Sequence, residues 1–243
     1  HALEGGQSMQ LACVQQQDRV LAILPLLKHG DEHWRSLGHL YTSLYTPLLA
    51  EGAGQEALDC LARGLSRLPL QSLRLDPFSA DDSNIRDLQA AMETCGFSCH
   101  RYFRFYNWIH RLHGQSYTEY MAARPSRLRN TIMRKQRKLE REHDCTIRIY
   151  SHDELDRALS DYRVVYAASW KVSELFEKVV EGLVLSLSKP GWLRLGILYI
   201  DEQPAAAQFW FVVHGKASIF KLAYDEKWKK YSPGSILTRH LME

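Results

Sequence analysis

Residues 217–242 read Ala217-Ser218-Ile219-Phe220-Lys221-Leu222-Ala223-Tyr224, then Asp225-Glu226-Lys227-Trp228-Lys229-Lys230-Tyr231-Ser232-Pro233-Gly234, then Ser235-Ile236-Leu237-Thr238-Arg239-His240-Leu241-Met242. The first run is rich in strand formers. The second is polar and broken by Pro-Gly, and the third sets Ile236, Leu237, His240 and Leu241 on one helical face. A helix start presents unpaired N–H groups and the positive end of its dipole, so strand, polar loop and helix together predict an anion site. Gly234 lets the backbone approach a ligand closely. Ser232 and Ser235 add hydroxyl donors, and Lys229 and Lys230 add charge. A pyrophosphate fits such a loop; the plain alternative is that Pro-Gly turns the chain and a serine caps the helix.

Upstream, Trp192–Ile200, Ala205–His214 and Ala217–Tyr224 are strand-like runs with short turn-like separators, which predicts an antiparallel meander. Before it, Ser151-x-x-Glu154 is a capping-box pattern followed by Leu155, Leu159, Tyr162 and Tyr166 at helical spacing. Ser173 is placed to cap a second helix carrying Phe176, Val180, Leu183 and Leu187, ended by Lys189-Pro190-Gly191. From Arg124 to Arg141 the chain carries eight Lys or Arg and one acid, Glu140. With Pro125 in the first turn and Leu128, Ile132 and Leu139 in a narrow stripe, that segment predicts a long basic helix joining two halves. In the first half, Met9–Val14 and Val20–Lys28 read as a hairpin. Gln55–Leu68 and Asp82–Cys95 read as helices, with Gly96 as a C-terminal cap, while Ser72–Leu75 and the aromatic Tyr102–Leu112 read as strands.

Composition bounds the function. Among 243 residues, 45% are hydrophobic and 24% charged, ordinary for a globular protein able to close a core. No stretch approaches the ~18 apolar residues of a membrane span. A net charge of +3 does not demand nucleic acid. Five scattered cysteines suit reduced thiols and a cytoplasmic location better than a disulfide scaffold. No metal is expected, because Cys95-x-x-x-Cys99-His100 with His110 and His113 fits no common zinc spacing. The chain opens His-Ala-Leu-Glu-Gly-Gly and stops within a helical pattern, so the C-terminal part of its domain is expected beyond Glu243.

Taken in order, these elements resemble the core of the GNAT acyltransferase superfamily and, within it, the CelD/FemAB-like branch of two GNAT-like halves joined by a basic helix. The residues that carry the resemblance are Ala168-Ser169-Trp170-Lys171, Gly191-Trp192-Leu193-Arg194-Leu195, Tyr224-Asp225-Glu226-Lys227-Trp228 and Tyr231-Ser232-Pro233-Gly234. Leu21-Ala22-Ile23-Leu24-Pro25-Leu26 followed by Arg35–Leu40 resembles the branch's opening hairpin and next strand. The resemblance implies an α/β (α+β) protein whose halves are mostly antiparallel sheets flanked by helices. Residues 9–123 form a degenerate half, 124–142 the basic connecting helix and 143–243 the acyltransferase half.

The activity implied is N-acyl transfer from acyl-CoA, such as acetyl-CoA, to an amine of a small molecule or of a peptidoglycan or polysaccharide precursor. The backbone near Leu222, Ala223 and Tyr224 is implied to hold the donor's pantetheine arm, with Lys229, Lys230, Ser232, Gly234 and Ser235 at its phosphates. Tyr224 or Tyr231 is placed as the acid and Glu226 or a water as the base, while Trp170 and Lys171 line the acceptor side. The family loop reads Arg/Gln-x-x-Gly-x-Gly/Ala, and the matching positions here are Lys229, Ser232 and Gly234. Ser232 therefore departs from the pattern. FemAB-type relatives use aminoacyl-tRNA as donor, and the basic helix keeps a tRNA-dependent transferase or an RNA-binding module as the alternative.

Overall fold

The computed structural model of the chain describes residues 8–30 and 32–243, so the opening His1–Gly6 lies outside the described residues. These separate between Ile109 and His110 into two units, each with its own core.

In the first unit, β1 (Ser8–Gln16) and β2 (Arg19–His29) form the expected hairpin, with Cys13 opposite Ile23. β3 (His33–Ser36) and the short β4 (Leu48–Leu49) also pair with β2, and β5 (Ser72–Arg74) lies parallel to β3. Alternation along β2 turns Ala22, Leu24 and Leu26 inward. Leu24 and Leu26 meet Leu58, Leu61 and Leu65 of α1 (Gln55–Ser66) and Leu88 and Met92 of α2 (Ser83–Thr94). Burying each such leucine contributes about 1.5–3 kcal/mol. Asp82 caps α2 by accepting from the Ile85 N–H at 3.3 Å, and Gly96 follows its end at φ 92°.

Tyr102–Leu112 corrects the strand expectation. The run is irregular, and Tyr102, Tyr106 and Trp108 are 84%, 84% and 95% exposed. β-propensity expresses packing against neighbours, and no strand pairs with this run among the described residues.

The second unit begins with α3 (Tyr117–Ala122), whose Ser116–Glu119 capping box is complete, and α4 (Ser126–Glu142). Its sheet runs β6 (Cys145–Tyr150), β7 (Leu193–Ile200), β8 (Gln203–Val213) and β9 (Lys216–Tyr224) in that order, antiparallel throughout. The last three are the predicted meander. α5 (Leu155–Ala167), α6 (Glu177–Ser188) and α7 (Pro233–Met242) flank it, leaving β7 almost wholly buried. α7 comes close because Gly196 on β7 has no side chain: a Cβ there would meet Leu241 Cδ1 at 3.0 Å.

Two capping expectations are corrected. α5 starts after Glu154, held at φ 52° with no side-chain cap, so Ser151 and Glu154 form no capping box. α6 starts after Phe176, and Ser173 lies outside it. The basic helix α4 buries Leu139 against Ile236 and Leu237, whereas Leu128 stays 46% exposed. Arg127, Arg134, Arg137 and Arg141 are exposed.

All five cysteines are free thiols. Burial, then the charges of Asp201, Glu140 and Asp144, push the Cys145 thiol up to about 11. Cys13 and Cys60 are exposed. Because the thiolate is the reactive form, iodoacetamide near pH 8 should label Cys13 and Cys60 first and Cys145 last. Peptide mass spectra showing early modification of Cys145 would contradict this order.

Candidate active site

β9 is the edge of its sheet, so one side of its backbone is open among the described residues. Asp225 N–H donates to Ala205 C=O at 2.9 Å across the ladder. Hydrogen-bonded and non-bonded pairs alternate along an antiparallel ladder. Ala223 therefore bonds toward β8, while Leu222 and Tyr224 turn their N–H and C=O groups to the open edge. Ala223 is buried and Leu222 half-exposed.

Beyond β9 the polar stretch is an ordered 3₁₀ turn, Glu226–Tyr231, started by Asp225, whose carboxylate accepts from Lys227 N–H at 3.0 Å. Ser232 then sits left-handed at φ 57°, ψ 53°, and its C=O accepts from Ser235 N–H at 3.0 Å and Ile236 N–H at 3.2 Å. Its hydroxyl does not cap α7. Pro233 has no N–H, so Gly234 is the residue of this first turn whose N–H is left for a ligand. Ser235 is exposed beside it. Lys229 is exposed, with Nζ 4.0 Å from Glu226 Oε1. Lys230 lies with Nζ 4.6 Å from the Tyr231 ring centre, and its hydrogen bond to Tyr231 raises its ammonium above the ordinary lysine range.

The rings of Trp170 and Tyr224 pack against each other at a tilt of 46°, with centroids 4.6 Å apart. A Cβ on Gly234 would touch Tyr224 Cδ1 at 3.3 Å, so strand end, helix start and the Trp170 segment share one place. Glu226 N–H, donating to Ala168 C=O at 3.3 Å, ties the turn to the same segment. Lys171 Nζ lies 5.7 Å from the Tyr166 ring. Burial and then the Lys221 charge hold its ammonium below the ordinary range, partly opposed by Glu174. Lys221 Nζ meets Glu174 Oε2 at 2.7 Å, with side chains 12% and 6% exposed. Glu174 also lines a cavity of about 110 Å³ with Tyr162, Tyr166 and Glu177.

Tyr231 is placed differently from Tyr224. It is 0% exposed, and its hydroxyl donates to Glu142 Oε2 at 2.7 Å. Lys221 and Glu174 escaped the sequence reading, as did Gln208, buried in β8 with Nε2 donating to Gly234 C=O at 2.8 Å and Thr238 Oγ1 at 2.7 Å. A polar residue inside the apolar run Ala205–Val213 was the signal for Gln208; the 47-residue gap between Glu174 and Lys221 offered none.

Residues 126–243, beginning at the first residue of α4, match the model of the acetyltransferase (GNAT) domain. That segment is a GNAT acetyltransferase domain. Two solved structures share the fold of the whole chain. FemX is 10% identical with a TM-score of 0.58, over 98% of this chain and 76% of its own. The C-terminal domain of a candidate lysylphosphatidylglycerol synthetase from Agrobacterium fabrum is 11% identical with a TM-score of 0.55, over 98% of this chain and 66% of its own. The chain thus spans just under two thirds of that second neighbour. A comparison with curated proteins finds no match. The chemistry of a GNAT domain is acyl transfer, and the matched residues all lie in the second unit.

In the GNAT domain, Ser232 occupies the first glycine position of the loop pattern, and its φ of 57° explains why glycine suits it. A side chain in that conformation costs about 1–2 kcal/mol, partly offset by glycine's greater freedom when unfolded. Ser232→Gly should therefore stabilise the protein by about 0.5–1 kcal/mol. A lowered midpoint in urea would contradict the strain.

Proposed function

We propose that the protein is an N-acyltransferase taking its acyl group from acyl-CoA, with residues 143–243 carrying the reaction. Residues 9–123 are then a degenerate half and 124–142 the connecting helix. The observation that carries this reading is the open backbone edge at Leu222 and Tyr224, running through the turn to the free Gly234 N–H. An extended amide-bearing arm hydrogen-bonds such an edge as an added strand does. A pyrophosphate suits the Gly234 N–H, the helix dipole and the Lys229 and Lys230 charges. Gly234 fits the group closely, since a side chain there would meet Tyr224.

A bound acyl-CoA supplies its acyl group as a thioester. Tyr224, at the end of the open edge, gives its hydroxyl proton to the departing sulfur, and Glu226 takes the proton released by the attacking amine, directly or through one water. Trp170 packs on Tyr224 and keeps water from that side. Lys171, its ammonium held below the ordinary lysine range by burial and then by Lys221, presents a donor to the acceptor. Tyr231, sealed in the core, holds the turn in place. The acceptor class favoured is an amine of a small molecule or cell-wall or polysaccharide precursor, and the setting is the cytoplasm. No helix among the described residues is long and apolar enough to cross a membrane.

The exposed Arg127, Arg134, Arg137 and Arg141 on α4 favour one competing reading, an aminoacyl-tRNA donor. Titration calorimetry separates the two. Acetyl-CoA should bind saturably and raise the thermal midpoint. Silence toward acetyl-CoA, with tRNA affinity that falls steeply as salt rises, would replace the CoA reading by the tRNA one.

A further inference from the structure

A chain of polar groups joins the end of α4 to the turn before α7. Asp201, between β7 and β8, has Oδ2 2.7 Å from His143 Nδ1. His143 Nε2 is 3.0 Å from the Tyr231 hydroxyl, which is 2.7 Å from Glu142 Oε2. Three contacts need three protons. Ionised carboxylates only accept, and a tyrosine hydroxyl supplies one proton. Both carboxylates are held below their usual range, Asp201 chiefly by the His143 hydrogen bond and Glu142 chiefly by that from Tyr231. A neutral imidazole brings one proton and leaves one contact as two facing acceptors. The imidazolium brings two and completes the chain: Nδ1–H to Asp201, Nε2–H to Tyr231, and Tyr231 O–H to Glu142.

We propose that His143, as an imidazolium clamped between Asp201 and the Tyr231–Glu142 pair, is a positioning residue that fixes the Ser232–Gly234 turn for the donor. The consequence for binding rests on the donor-site reading above; the proton count does not. Tyr231 immediately precedes Ser232, so the hydroxyl that His143 holds anchors the backbone presenting the Gly234 N–H. The surroundings suit a cation. Asp144 contributes its N–H to Asp201 Oδ1 at 3.1 Å and adds charge from the start of β6. Glu140 and Arg141 lie on α4 nearby, the latter paired with Glu142 at 3.1 Å. Lys138 and Lys230 flank the far side, over the Tyr231 ring at 5.7 and 4.6 Å. Trp228 packs against the imidazole with centroids 5.0 Å apart. Four acids thus face three cations before His143 is counted.

The clamp is complete only when the ring carries both protons. Nitrogen NMR of the His143 ring in the whole chain tests this first: both nitrogens should carry a proton in the folded protein, and a neutral ring overturns the proposal. Acetyl-CoA calorimetry tests the second part. Tyr231→Phe and His143→Gln should each lower affinity about fivefold to tenfold, the size of one lost hydrogen bond. Tyr231→Phe keeps the buried ring, so its fold is preserved. Affinity of Tyr231→Phe equal to that of the wild type would overturn the positioning role. If acetyl-CoA does not bind the wild type at all, the donor reading fails instead, and the ring signals then decide whether the clamp stands.

Discussion

Replacing Lys221 with methionine should cost about 3 kcal/mol of folding free energy, the order seen when one partner of a buried ion pair is removed. The cause is the remaining carboxylate. Glu174 is 6% exposed and meets Lys221 Nζ at 2.7 Å. Without that ammonium it keeps a charge in the interior that water can hardly reach. Lys221→Met combined with Glu174→Gln should recover much of the loss, because two neutral side chains of similar size carry no desolvated charge. A single variant with an unchanged urea midpoint would show that the pair is open to solvent. Lys171 supplies a second readout. Its ammonium is held low by burial and then by Lys221. Protonation of a group lowered in the fold favours unfolding, so stability rises with pH between the lowered value and the ordinary 10.5. Lys221→Met should flatten that rise.

Gly234→Asp should weaken acetyl-CoA binding by about 1–3 kcal/mol, roughly fivefold to 150-fold, the worth of one or two charge-assisted hydrogen bonds. It sets a carboxylate where the Gly234 N–H, the dipole of α7 and two lysines favour an anion, and its Cβ meets Tyr224 Cδ1 at 3.3 Å. The same carboxylate in the first turn of α7 complements the dipole, so the helix itself should be no less stable. Binding and folding are thereby separated. Gly234→Ala isolates the steric part and should lose less. Lys229→Ala should lose least, because that side chain is 70% exposed and its charge is screened. Calorimetry that finds Gly234→Asp as tight as the wild type, with the thermal midpoint unchanged, would reduce the turn to a connection.

The meander was legible because each strand is a long apolar run and each connection is a short turn, Asp201-Glu202 and His214-Gly215, a pattern with few other solutions. The hairpin of β1 and β2 was legible for the same reason. Tyr102–Leu112 misled because its residue types suit a strand while no strand among the described residues pairs with it. Ser151 and Ser173 misled because capping depends on where the first helical turn closes, a matter of packing. At the site, Tyr224, Ser232 and Gly234 are neighbours in sequence, so their grouping was readable. Trp170 beside Tyr224 came through the resemblance alone. His143 reaches Tyr231 across 88 residues, and no local pattern announces such a contact.

The packing of Trp170 on Tyr224 has an optical consequence. Of the six tryptophans, Trp210 is 5% exposed with its indole N–H donated to Gln208, a fixed environment with steady emission. Trp170 is 49% exposed and rests on the ring that borders Gly234. Any molecule entering along β9 exchanges water for its own atoms over that indole, so the colour and anisotropy of its fluorescence follow occupancy. With Trp210 as a steady reference, Trp170 gives the protein a dye of its own beside the proposed donor site.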